Sequence, residues 1–215
     1  MVSLFMLVFP FKSLIILHVR KKRPLFLFVK RASDIFLSLF AILLCFSLLW
    51  WWVTIINLFA TKGHPFFAPY RYGKNKKPFK MFKFRSMKIG APFIPPYEMS
   101  EEQRKSFETG FGRFLRITSI DETPQFINVF LGSMSMVGPR PGGIEYEEML
   151  VEARESFTPN AFDVRPGITG YSQVYMKRQH DVKSKAWFDS EYVKIMSVWV
   201  DFKILVHTFL FVKGK

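Results

Sequence analysis

Ile35-Phe-Leu-Ser-Leu-Phe-Ala-Ile-Leu-Leu-Cys45-Phe-Ser-Leu-Leu-Trp50-Trp-Trp-Val-Thr-Ile-Ile-Asn-Leu-Phe-Ala60 runs 26 residues without a charged side chain. A bilayer span needs about 20 such residues, and buried core helices of soluble domains are seldom this long. The stretch therefore reads as a membrane-embedded helix over residues 30–62. Everything else in the 215-residue chain is arranged around it. The remainder is enough for one domain of ordinary size.

Charge flanks this helix on both sides. Arg20, Lys21, Lys22, Arg23, Lys30 and Arg31 precede it, and Arg71, Lys74, Lys76, Lys77, Lys80, Lys83, Arg85 and Lys88 follow. Residues 1–97 carry 16 Lys/Arg and one acid, whereas residues 98–215 are nearly neutral. Next to a membrane segment, such a basic half points to anionic headgroups and phosphorylated substrates rather than nucleic acid. Positive flanks favour the cytoplasmic side, so two of them argue for a helix that enters and returns on one side. A bend needs a cause, usually Pro or Gly/Ser, and only Ser47, a weak breaker, lies near the middle, so charge argues for re-entry and helix chemistry for a span. Residues 1–29 form an apolar and basic extension, and its first 17 residues lack a basic start and an evident cleavage site, which argues against a removable signal peptide. Cys45 is the only cysteine, so neither an intrachain disulfide nor a cysteine zinc site can form.

Residues 63–215 read as an α+β, mostly helical unit. Gly63-His64-Pro65 ends the first helix. Phe66–Tyr72 and Phe79–Arg85 read as strands of a small hairpin joined by the turn-rich Gly73–Pro78. Alternation would put Phe79, Met81, Lys83 and Arg85 on one face. A polar insertion at Pro95–Ser100 leads to a charged helix near Glu101–Glu108. A helix over Asp121–Leu131 ends at Gly132, an acidic helix covers 142–157, and residues 187–212 make one or two interfacial amphipathic helices. On the last, Lys194, Ser197, Asp201 and Thr208 fall together, while Trp199, Phe202, Ile204 and Phe209 supply apolar surface.

The densest chemistry lies in Arg116-Ile-Thr-Ser-Ile-Asp121-Glu122-Thr-Pro124-Gln125. Two adjacent carboxylates sit at a predicted helix start, capped either by Ser119 or by Thr123 with Pro124 at the first helical position. A phosphate could bind there; equally, Ser119-x-x-Glu122 is a capping box and no more. Gly138-Pro139-Arg140-Pro141-Gly142 would hold one guanidinium between two prolines, either aimed at a phosphate or solvated on a rigid turn. Arg165-Pro166-Gly167-Ile168-Thr169-Gly170, with Gln173, could hold a nucleotide or sugar, or be an ordinary tight loop. His18, His64, His180 and His207 lack ligand spacing.

Six segments taken together resemble the bacterial sugar transferases, the monotopic polyprenyl-phosphate phosphoglycosyl transferases. They are Lys30-Arg31-x-x-Asp34, Lys83-Phe84-Arg85-Ser86-Met87, Gly112-Arg113 through Gln125, Met134 through Pro141, Arg165 through Gly170, and Asp189-x-x-Tyr192-Val193. Their order is the family's, across about residues 30–212. The resemblance implies transfer of a sugar-1-phosphate from a UDP-sugar to polyprenyl (undecaprenyl) phosphate, with UMP released and a covalent phosphosugar held on Asp121. It implies Glu122 as the partner carboxylate, both acids as Mg2+ ligands, and Arg140 as a phosphate clamp. Arg116, Lys83 and Arg85 would extend the positive wall, and Arg165, Gly167, Thr169 and Gln173 would face nucleotide or sugar. Membrane lipids and downstream glycosyltransferases would be partners, at the cytoplasmic face of a bacterial inner membrane, in surface-glycan synthesis. The chain departs from the family in having no Pro in its apolar helix, Ser133 in place of an acid, and Tyr171-Ser172-Gln173 in place of Trp-Ala-Gln. Ser133 and the changes after Gly170 keep a non-catalytic scaffolding paralogue in view, and a basic membrane anchor that binds lipid or nucleic acid without chemistry is a second alternative.

Overall fold

The apolar stretch is helical throughout in the computed structural model, which describes residues 23–91, 100–142, 148–176 and 181–211. Helix α1 (Arg23–Cys45) passes through one π-helical turn (Phe46–Trp50) into α2 (Trp51–Thr61). Lys62, in the left-handed region, stops it. Together Pro24–Thr61 make 38 residues, long and apolar enough to cross a membrane and almost entirely unburied. At 1.5 Å per residue that is about 57 Å of helix, nearly twice the roughly 30 Å hydrocarbon thickness. The π turn falls in the Cys45–Leu48 region that has no Pro, and Ser47 there donates its hydroxyl to the Leu44 carbonyl.

Both limbs of this helix are fastened to the same body. On α1, Lys30 donates to the Val137 carbonyl at 2.9 Å, Arg31 to the carbonyls of Val129 and Phe130 at 2.7 and 2.8 Å, and Asp34 accepts from Met136 N and Ser135 Oγ. On α2, buried Asn57 donates to the carbonyls of Pro65 and Arg85, 2.8 Å each. Leu49, Trp50 and Val53 pack on Phe84 and Leu115. Residues between the two sets of attachments, Phe40, Leu43, Leu44, Phe46 and Leu48 among them, are exposed.

The predicted hairpin is present but broken in two. Strand β1 (Phe66–Phe67) pairs antiparallel with β4 (Lys83–Phe84), and β2 (Tyr70–Tyr72) with β3 (Pro78–Lys80). The break has a cause: Asn128 inserts its amide, accepting from Phe82 N and donating to the Lys80 carbonyl, both at 2.8 Å. Beyond it, α3 (Glu101–Phe107) and α4 (Gly110–Ile117) follow, the latter capped by Thr109, whose Oγ1 accepts from Gly112 N. The insertion before α3 lies mostly outside the described residues.

The helix expected over Asp121–Leu131 is instead a 3-10 turn (Ile120–Glu122) followed by α5 (Gln125–Leu131), closed by Gly132 at φ 91°. Neither expected cap forms. Ser119 sits at φ 57° with no side-chain cap, and Thr123 donates its hydroxyl to the Ile120 carbonyl. Strand β5 (Ser135–Val137) pairs in parallel with β6 (Gly167–Thr169). The acidic helix, α6, is Glu148–Glu155, shorter than the predicted 142–157, of which 143–147 lie outside the described residues. Helix α7 (Tyr171–Tyr175) precedes α8 (Val182–Ile195) and α9 (Val198–Phe211).

Helix α9 corrects the predicted wheel. Asp201 and Thr208 face inward, to Lys30 and Tyr192 and to Thr169, because the body offers them partners. Lys194 belongs to the preceding helix and pairs with Glu191. Ile204 is fully buried, among Val137, Tyr192, Val193 and Met196, while Trp199, Phe202 and Phe209 remain exposed. Burial first, then the charge of Asp201, push the Tyr192 phenol well above its ordinary pKa, so it stays protonated as a donor to that carboxylate.

Candidate active site

Three separate elements converge on the Asp121–Glu122 turn. Gly112 lets α4 approach the chain just past β4, since a Cβ there would stand 2.0 Å from the Ser86 carbonyl oxygen. At the end of α4, Ser119 takes the left-handed conformation, rare for a residue with a side chain, and turns the chain into the carboxylate pair. Asp121 is buried, at 7% exposure. Glu122 accepts from Lys83 Nζ on β4 at 3.3 Å and from Arg140 Nη1 at 3.2 Å, with Arg140 Nη2 close on its other oxygen. Arg140 thus grips Glu122 with both prongs of its guanidinium, the geometry a planar fork favours.

Arg140 is held from behind. Gly138 N donates to the Thr169 carbonyl and Gly167 N to the Pro139 carbonyl, 2.9 Å each. This backbone-to-backbone approach needs glycine, since a Cβ on Gly167 would lie 2.1 Å from Gly138 N. Arg154 then donates to the Arg140 carbonyl at 2.7 Å. From the other side, the Trp50 indole of the apolar helix donates to Thr123 Oγ1 at 3.0 Å, one residue past Glu122.

The structure therefore gathers Asp121, Glu122, Lys83 and Arg140. The other residues singled out from the sequence take different partners. Arg116 donates to Ser86 Oγ and lies 3.7 Å from Glu108. Arg85 donates to the His64 carbonyl and stacks over the Phe67 ring. Arg165 donates to the Gly132 carbonyl, at the far end of α5. Gly167 is buried in β6, Thr169 shares a hydrogen bond with Thr208, and Gln173 donates to the Ile168 carbonyl. The departure at Ser133 is absorbed locally: its hydroxyl donates to the Asn128 carbonyl and accepts from that side chain.

Trp50, Asn128 and Arg154 carry no mark in the sequence. Trp50 is one of three consecutive tryptophans, and Arg154 is the lone base in an acidic helix. No cluster of three His, Cys, Asp or Glu side chains suited to a metal occurs among the described residues. Two adjacent carboxylates still form a hard oxygen donor set to which a bound diphosphate could add, the way Mg2+ is commonly held.

The family model described as bacterial sugar transferase matches residues 25–215. A UDP-glucose:undecaprenyl-phosphate glucose-1-phosphate transferase of Escherichia coli is 37% identical over 185 residues, covering 84% of this chain and 39% of that protein. An undecaprenyl-phosphate galactose phosphotransferase of Salmonella typhimurium is 34% identical over 197 residues, 84% of this chain and 40% of that protein. An exopolysaccharide production protein of Rhizobium leguminosarum is 35% identical over 194 residues, covering 85% of this chain and 94% of that protein. The chain thus spans about two fifths of the first two relatives and nearly all of the third.

Proposed function

Since the chain belongs to the bacterial sugar transferase family, we propose that it moves a sugar-1-phosphate from a UDP-sugar to undecaprenyl phosphate at the cytoplasmic face of the inner membrane. The observation that carries the reading is a buried Asp121 beside a Glu122 gripped by Lys83 and Arg140. In the first step an Asp121 oxygen attacks the β-phosphorus of the donor. An Oδ–P bond forms, the P–O bond to the α-phosphate breaks, and UMP leaves with the bridging oxygen and its electrons. In the second step a phosphate oxygen of the lipid attacks the same phosphorus. The aspartyl P–O bond breaks, giving lipid diphosphate-sugar and free Asp121. A carboxylate approaching a diphosphate meets like charge. Lys83 and Arg140 lower that cost and stabilise charge on the transferred group. Asp121 and Glu122 would hold Mg2+, which when bound neutralises phosphate charge.

The apolar helix enters and returns on one side. Lys30, Arg31 and Asp34 near one end, and Trp50 and Asn57 toward the other, are bonded to the same body, while the residues between are exposed. The π turn serves as the bend in a stretch that has no Pro. The site then lies at headgroup depth, where the lipid phosphate is.

The test is UMP release by detergent-purified protein with Mg2+, undecaprenyl phosphate and a panel of UDP-sugars. Release with one donor, lost in a folded Asp121→Asn variant, is expected. Substantial turnover in that variant would remove Asp121 as nucleophile.

A further inference from the structure

Arg154 belongs to no motif in the sequence, yet it is 2% exposed and paired with an Asp189 that is 1% exposed. Its Nε and Nη2 both reach Asp189 Oδ2, at 3.1 and 2.6 Å, and Nη2 also reaches the Arg140 carbonyl at 2.7 Å. The remaining oxygen, Oδ1, accepts from Ser172 at 2.9 Å. Four elements meet at this pair: α6, α7, α8 and the turn after β5.

We infer that Arg154, oriented by Asp189 and Ser172, is a positioning residue that sets the aim of Arg140 at the phosphoryl-transfer site; this rests on the reaction proposed above. A fully buried ion pair contributes little net stability, because desolvating both charges offsets their attraction, and an apolar pair of similar volume serves the fold as well. An apolar side chain cannot anchor a backbone carbonyl. Residues 138, 139 and 140 each have one backbone polar group tethered, the first two to strand β6 and the third to Arg154. Pro139 and Pro141 restrict the torsions between those tethers. Once the Arg140 carbonyl is fixed, little freedom is left except in the side chain that reaches Glu122. The Ser172 hydroxyl holds Asp189 in the orientation that presents Oδ2 to Arg154.

The experiment compares initial rates of UMP release for Arg154→Met, Asp189→Asn and Ser172→Ala, each made in the native chain and in an Arg140→Met chain, with melting temperatures alongside. Displacing a phosphate-gripping group by about 1 Å can cost on the order of 10²-fold. In the native chain, Arg154→Met and Asp189→Asn should lower kcat/KM about 10- to 100-fold, and Ser172→Ala, which leaves the ion pair whole and the fold secure, a few-fold. In the Arg140→Met chain the same three changes should cost nothing further, because the group they aim is gone. Equal losses in both backgrounds, or full activity in any folded Arg154 or Asp189 variant, would overturn the relay. No release from the unmodified protein would overturn the assigned reaction first, and the relay with it.

Discussion

Replacing Lys30 by Met tests whether the apolar helix is locked to the body by charge. Lys30 Nζ lies 2.5 Å from Asp201 Oδ2 and 2.9 Å from the Val137 carbonyl, with side-chain exposures of 12% and 13% for the pair. Without Lys30, the Asp201 carboxylate keeps the Tyr192 hydroxyl at 2.7 Å but no cation. Breaking a buried pair from one side costs about 3–5 kcal/mol. In a chain of this size each kcal/mol moves the melting temperature by about 2–4 °C, so a fall on the order of 10 °C is expected at neutral pH. The loss has a pH signature. Burial already holds the Asp201 carboxyl above its ordinary value, and Lys30 and then Tyr192 pull it down. Removing Lys30 raises it further. An acid whose folded pKa is raised holds its proton better in the folded state, so stability is lost as pH rises through that pKa. The gap between variant and native protein should therefore be small near pH 4 and widen toward neutrality. Asp201→Asn in the Lys30→Met chain should recover most of the loss at pH 7. Thermal unfolding in one detergent across pH 4–8 reads all of this. A loss under about 1 kcal/mol, or a gap that does not change with pH, refutes the reasoning.

Three more outcomes follow from the same contacts. Trp50→Phe keeps a ring against Phe84 but removes the donor to Thr123; a loss of about 0.5–1.5 kcal/mol is expected, and none should appear when Thr123 is already Val. Gly138→Ala places a Cβ 2.5 Å from the Arg165 carbonyl oxygen, a backbone atom that cannot swing aside, so its melting temperature should drop by several degrees, and an unchanged value would contradict the close approach. A cysteine at Lys76 in a Cys45→Ser chain should react with membrane-impermeant reagent only from the cytoplasmic side; labelling from the periplasm would mean that the helix spans.

The carboxylate pair and the proline-bracketed arginine were legible in the sequence, because their chemistry is carried by neighbours a few residues apart. Legibility ended where partners are remote. Lys83 and Arg85 are equivalent by strand alternation, but Asn128 breaks the ladder between β3 and β4, and Lys83 goes to Glu122 while Arg85 goes to the chain beside it. Both predicted caps at Asp121–Glu122 were reasonable local choices, and the tertiary fold uses neither, since Thr123 is engaged by Trp50 and Ser119 is needed as a left-handed corner.

The sequence by itself determined the apolar helix, its doubly basic setting, the mostly helical character of the rest, and the order of the motifs. Those follow from hydropathy, charge and short-range torsional limits, which act within a few residues. Only the tertiary structure decided which of many cations face Glu122, that a π turn stands where no Pro does, that Asp201 and Ile204 turn inward, and that a buried arginine holds the turn bearing Arg140. Each depends on contacts between residues tens of positions apart, where burial raises the cost of an unpaired polar group and so selects its partner.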